Sequence, residues 1–248
     1  MSNRLIGMAA ASALLVGAVG LAAAQASADG SGGAGASEAA TAALDPGDFV
    51  TVVDNPYYPL TPGTTLVYEG VRDGQTQIDR VRVTDGTKTI LGIQATVVLD
   101  VARHGDVLIE KTHDWFAQDV DGNVWYLGED TAEYDEQGNV VSTEGSWQAG
   151  VDGAEAGIIM EADPQVPDGY RQEFLAGHAE DQAWILSRGG SVRVPFGRLH
   201  RVLLTMEWTP LEPEVVDQKY YAPGIGIVLE RSVAGGHEVA ELVAVHTG

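Results

Sequence analysis

Apolar and polar positions alternate in short runs along most of the chain, and Gly- and Asp-rich pairs separate the runs. Residues 64–71 (TTLVYEGV) lead into Asp73-Gly74. Residues 75–84 (QTQIDRVRVT) follow, with Ile78, Val81 and Val83 as the apolar members, and Asp85-Gly86 reads as the next turn. Residues 88–101 are rich in Ile, Val and Thr, and Gly105-Asp106 turns the chain into 107–118. β-Branched runs punctuated in this way are the signature of hairpins. Two more hairpins have Gly-Asn in their turns, at Gly122-Asn123 and Gly138-Asn139, where positive φ is tolerated. Strand signal resumes at 183–187, 191–195, 199–208, 216–221, 226–232 and 237–245. Between them, 150–182 is rich in Gly, Pro and acids, with room for a short helical turn at 171–175 or 180–184. No stretch beyond the N-terminus sustains a 3.6-residue period. Consecutive strands joined by tight turns pair antiparallel. The expected class is all-β: a single large curved antiparallel sheet or unclosed barrel, with little helix outside a signal peptide.

That signal peptide is read at residues 1–28. Arg4 precedes an uncharged run, 5–24, and Ala26-Ser27-Ala28 supplies the small residues of a cleavage site. An uncleaved anchor is the alternative, since about 20 apolar residues span a bilayer. The run is mostly Ala and Gly, which favours cleavage. Residues 29–44 are nearly all Gly, Ala, Ser, Thr and acid; they cannot bury enough apolar surface to offset ordering entropy and read as a flexible tether. Residues 45–248 then form one domain, secreted or held at the cell surface.

Charge narrows the partners. Fourteen basic residues face 36 acids, a net charge of −22. Nucleic acid and anionic membrane surfaces are excluded, because both are recognised through basic patches. The chain contains no Cys, so disulfides, thiol nucleophiles, thiolate zinc sites and a lipidated cysteine are all ruled out. Nothing in the sequence fixes the oligomeric state.

Two groups of residues are candidates for chemistry. The first is acidic: Asp114, Asp119, Asp121, Glu129, Asp130, Glu133, Asp135 and Glu136. Within it Asp119, Asp121 and Asn123 offer oxygen ligands in a tight turn, as a calcium loop does, but without EF-hand spacing. The same residues serve equally well as hydrated hairpin tips. The second is aromatic: Trp115, Phe116, Trp125, Tyr126, Tyr134 and Trp147 fall close together. Neighbours on a strand face opposite sides, so one ring of each adjacent pair either lines a cavity for an apolar ligand or is covered by another element. His237-Glu238-x-x-Glu241 departs from H-E-x-x-H at the second histidine and lies in a strand pattern. No nucleophile elbow, phosphate loop or dinucleotide fingerprint occurs.

Residues 191–197 (SVRVPFG) and 219–228 (KYYAPGIGIV), with the stretch from Asp114 to Trp147 (DWFAQDVDGNVWYLGED…STEGSW), resemble a group of exported bacterial proteins, actinobacterial in type, with no agreed activity. The resemblance implies an antiparallel unclosed barrel like that of bacterial lipoprotein carriers, and it assigns no functional residues. The leading expectation is an exported, non-enzymatic protein that binds a lipid or another apolar or amphipathic small molecule on the concave face of its sheet, without a cofactor. A secreted hydrolase using acidic residues and a calcium-dependent surface module are the alternatives.

Overall fold

A computed structural model describes residues 44–72 and 74–248. The signal peptide read at 1–28 and all of the tether read at 29–44 except its last residue, Leu44, lie outside the described residues. After a three-residue 3-10 turn at Pro46–Asp48, the chain runs through β1 (Phe49–Val50), β2 (Thr65–Arg72), β3 (Gln75–Ile90), β4 (Ile93–His104) and β5 (Val107–Asp119). It continues with β6 (Val124–Tyr134), β7 (Val140–Ser142), β8 (Trp147–Gln148), β9 (Glu155–Met160), β10 (Gly169–Arg171) and β11 (Glu173–Phe174). The last five strands are β12 (Gln182–Val194), β13 (Gly197–Trp208), β14 (Val216–Ala222), β15 (Gly226–Ala234) and β16 (Val239–His246).

All strand pairs are antiparallel. Their order is β10-β12-β13-β14-β15-β16-β2-β3-β4-β5-β6-β9-β11, with β1, β7 and β8 pairing to one side of this path. The path begins and ends within one extended segment. Tyr170 pairs with Ala183 of β12, while Glu173, three residues on, pairs with Ala156 of β9. Residues 169–174 therefore bridge the two edges of the sheet, and the sheet is nearly closed into a barrel. Because the segment pairs with only three residues on one side and two on the other, the seam stays unsealed along most of its length. Gly157 permits this close approach: a Cβ there would lie 2.4 Å from the backbone of Arg171 and Gln172. Neither short helical turn expected in 150–182 forms; pairing across the seam draws those residues into strands.

One turn also lies elsewhere than the sequence implies. Asp85-Gly86 sits inside β3 as a bulge, with the register shifting between Val83 and Thr87. The Thr84 hydroxyl donates to the Val97 carbonyl at 2.8 Å and accepts from the Gly86 N–H at 3.0 Å, which fixes the bulge. The hairpin turns instead at Leu91-Gly92, where both residues have positive φ, 52° and 82°. This is the backbone of the primed turn that matches strand twist.

The interior of the barrel carries an aromatic core. Phe116 stacks on Tyr126 at 4.8 Å between centroids, and Tyr58 meets Phe116 edge-on at 5.3 Å. Trp147 meets Tyr126 edge-on at 5.2 Å. Tyr58 belongs to the loop between β1 and β2. That loop is anchored by Asn55, whose side chain donates to the carbonyls of Gly122 and Glu161. The Gln118 side-chain Oε1 in turn accepts from the N–H groups of Asp54 and Asn55 at 2.9 and 2.8 Å.

Candidate functional site

Side chains of a strand alternate between faces, and the inward set along each strand changes character partway. On β2 the inward residues run Leu66, Tyr68, Gly70, Arg72, and on β3 they run Val83, Val81, Asp79, Gln77. On β5 they run Phe116, Asp114, Thr112, Glu110. On β13 and β14 they pass from Leu203 and Tyr221 to Thr205, Glu207, Lys219 and Asp217. One part of the interior is thus apolar and the other polar.

In the apolar part a cleft opens between the inner surface of β2–β4 and the loop that carries Tyr58. Leu60, Leu66, Tyr68, Val81, Val98 and Ile227 are among the residues that line it. It is a shallow cleft, open to solvent. Tyr68 closes its inner end, fixed by a hydrogen bond from its hydroxyl to the Ile227 carbonyl at 2.9 Å.

The polar part holds seven buried acids, Asp79, Asp100, Glu110, Asp114, Glu129, Glu173 and Glu207, with Arg72 and Lys219 as the buried bases. Lys219 Nζ lies 2.9 Å from Glu207 and 3.9 Å from Glu230. Arg72 is 3.6 Å from Glu110 and 3.7 Å from Glu238. Hydroxyl donors reach Asp114 and Glu207: Tyr126 donates to Asp114 at 2.8 Å, and Thr205 and Tyr221 donate to Glu207 at 2.6 and 3.0 Å. Both Asp100 oxygens, both Glu173 oxygens and one oxygen of Asp114 are buried without a hydrogen-bond partner.

Excess carboxylates in a low-dielectric space take up protons. Burial pushes Asp79 up to about 7, against the Gln77 amide that hydrogen-bonds it. Burial likewise pushes Asp114 up to about 7, against the Tyr126 hydroxyl. Asp100 stands well above its ordinary range through burial and then the nearby Asp79, Asp114 and Glu110. Glu129 and Glu173 are raised in the same way. Burial pulls the Lys219 ammonium down, but Glu207 and Glu230 outweigh it and hold the group charged.

The aromatic group singled out in the sequence is brought together only in part. Phe116, Tyr126 and Trp147 pack on one another in the core, and none of them borders the apolar cleft. Trp115 faces the other side of the sheet, with the Lys88 ammonium 3.1 Å from its ring centroid. Trp125 meets Phe49 edge-on, and Tyr134 is half-buried near the far end of β6. The cleft is lined instead by β2–β4 and by the loop before β2, which no aromatic cluster marks in the sequence. The one legible signal was Tyr57-Tyr58-Pro59-Leu60, an apolar run outside any strand pattern.

The acidic group divides. Asp114 and Glu129 are buried inside the barrel, whereas Asp121, Asp130 and Glu136 are exposed. In the 119–123 turn both Asp119 oxygens are engaged: they accept from the Asn123 N–H, the Asn123 amide and the Trp125 indole at 2.8, 2.8 and 2.9 Å. Asn123 Oδ1 accepts from the Ala162 N–H. Among the described residues no group of three or more His, Asp and Glu side chains is arranged to hold a metal ion.

No family model and no curated protein matches the chain. Two solved structures resemble it. One is a Bacteroides fragilis protein named "putative exported protein with YmcC-like fold", 14% identical, with a TM-score of 0.44, over 77% of this chain and 99% of that one. The other is a "putative lipoprotein" of Parabacteroides distasonis, 12% identical, with a TM-score of 0.35, over the same shares of the two chains.

Proposed function

We propose that this protein is an exported, non-catalytic binding barrel that takes an apolar or amphipathic small molecule into the cleft between β2–β4 and the Tyr58 loop. The observation that carries this reading is the cleft itself. Its walls are aliphatic and aromatic, it opens to solvent, and it lies on the concave face of a sheet. Export follows from the signal-peptide pattern at 1–28. The ligand's polar end is neutral or cationic, because a chain of net charge −22 with an acid-filled interior repels an anion.

A neutral fluorescent naphthylamine, N-phenyl-1-naphthylamine, is a suitable probe. It is expected to bind the domain saturably and to be displaced by a natural apolar ligand. Leu60 is half-buried on the loop at the cleft wall, so Leu60→Trp fills the cleft with little demand on the core. The variant should bind the probe at least about tenfold more weakly, the equivalent of about 1.4 kcal/mol, with an unchanged melting temperature. Equal binding by the two proteins would place the probe elsewhere and remove the reading.

A further inference from the structure

A second cleft opens at the polar end of the barrel, on the opposite side of the Tyr68 layer from the apolar one. Across β15, β16, β2 and β3, the residues in register are Glu230, Ala240, Gly70 and Gln77. The two middle positions carry a methyl group and a hydrogen, so the inward surface between Glu230 and Gln77 is hollow. The hollow is open to solvent, with Asp79, Asp217, Ser232 and Glu238 also on its walls. Gly70 cannot be replaced, since a Cβ there would lie 1.9 Å from the Val239 carbonyl oxygen.

The walls are acceptors almost throughout. Four carboxylates, from Asp79, Asp217, Glu230 and Glu238, face one guanidinium, that of Arg72. Gln77 is 6% exposed, and its carbonyl Oε1 has no hydrogen-bond partner. One oxygen of Asp217 and one of Glu230 are also buried and unpartnered. A buried acceptor without a donor costs about 1–3 kcal/mol, so the hollow is chemically incomplete without donors.

We infer that this polar cleft is a binding site for an organic ammonium ion, a primary amine or diamine, whose N–H groups complete Gln77, Asp217 and Glu230. A bare metal ion fits less well, because no group of three or more carboxylates among the described residues is arranged to hold one. An alkylammonium carries three divergent donors, and a diamine presents a second set at its other end. Burial pushes Glu230 up to about 8 against the pull of Lys219, and a second cation beside it would favour its charged form. The inference does not depend on the apolar cleft.

The test is calorimetric titration of the domain with 1,4-diaminobutane, with calcium chloride and butan-1-ol as comparison probes. Saturable one-site binding of the diamine and none of the alcohol is expected. Asp217→Asn removes a charge without touching the Lys219 pair and should weaken binding about tenfold. Ala240→Phe should abolish binding by filling the hollow. Asp121→Asn, an equal charge change on an exposed hairpin tip, should leave binding unchanged. Each protein is first checked by circular dichroism and thermal melting; if either cleft variant is unfolded, the other decides. Absence of saturable diamine binding overturns the inference. So does calcium binding in preference to the diamine, or equal weakening by Asp121→Asn, which would mark nonspecific attraction to an acidic chain.

Discussion

The domain is expected to be most stable in mildly acidic solution and to lose stability steadily as pH rises from 4.5 to 8. Asp79 and Asp114 are raised to about 7, and Glu230 to about 8. In the unfolded chain these groups return to ordinary carboxylate values near 4. Between those values the folded state binds more protons than the unfolded state, so stability falls as pH rises. Each raised carboxyl contributes fully below its unfolded value, and its contribution is lost as pH passes through its folded one. A single carboxyl moved from 3.8 to about 7 accounts for about 3 kcal/mol between pH 4.5 and 8. Asp100, Glu129 and Glu173 act in the same direction. The net charge of −22 adds to the trend, because neutralising acids also relieves repulsion over the surface. For a domain of this size the fall corresponds to at least about 6 °C in melting temperature. Thermal melts across that range check the expectation; a flat or rising profile would mean that the interior acids are ionised and otherwise compensated.

The second large effect centres on Lys219. Its ammonium is the cation beside Glu207 and Glu230, and Glu207 also accepts from Thr205 and Tyr221. Lys219→Met keeps most of the side chain's volume but leaves both carboxylates without it. Breaking a buried pair from one side costs about 3–5 kcal/mol, because the remaining charge is uncompensated. The loss should be largest at pH 8 and smaller at pH 5, where the carboxyls take up protons. Adding Glu207→Gln to Lys219→Met should restore part of the stability, since an uncharged pair of similar shape no longer carries the penalty. Urea unfolding of the two variants at both pH values distinguishes these outcomes. A Lys219→Met protein as stable as the parent at pH 8 would show that solvent reaches this pair and screens it.

Much of the architecture was legible in the sequence, because hairpins are local. The turns at Gly122-Asn123 and Gly138-Asn139 and the antiparallel chain of strands follow from residue type alone. The bulge at Asp85-Gly86 was not legible as one. It uses the same residues as a turn, and what distinguishes them is the reach of Thr84 to Val97 on the next strand. The turn at Leu91-Gly92 was hidden because leucine seldom takes positive φ. Strands β9–β11 depend on pairing across the barrel seam, a contact between distant segments that no short window contains.

The candidate site was less legible, for a different reason. On β5 both faces carry an aromatic ring, Trp115 on one and Phe116 on the other, and the interior side is that of Glu110, Thr112, Asp114 and Phe116. Strand alternation gives two faces and does not say which one is the interior. Only closure of the sheet does that, and closure places Asp114 and Glu129 of the acidic group in the lining of the barrel while Asp121, Asp130 and Glu136 stay exposed. The clefts arise from small residues and from a loop folding back, at positions such as Gly70, Ala240 and Leu60 that carry no chemical signature.

Native mass spectrometry of the protein recovered from the organism that makes it tests the binding reading most directly. The expected spectrum shows the chain together with one small apolar molecule, and the Leu60→Trp variant recovered in the same way shows the chain alone. A spectrum of the bare chain for both proteins would contradict the account.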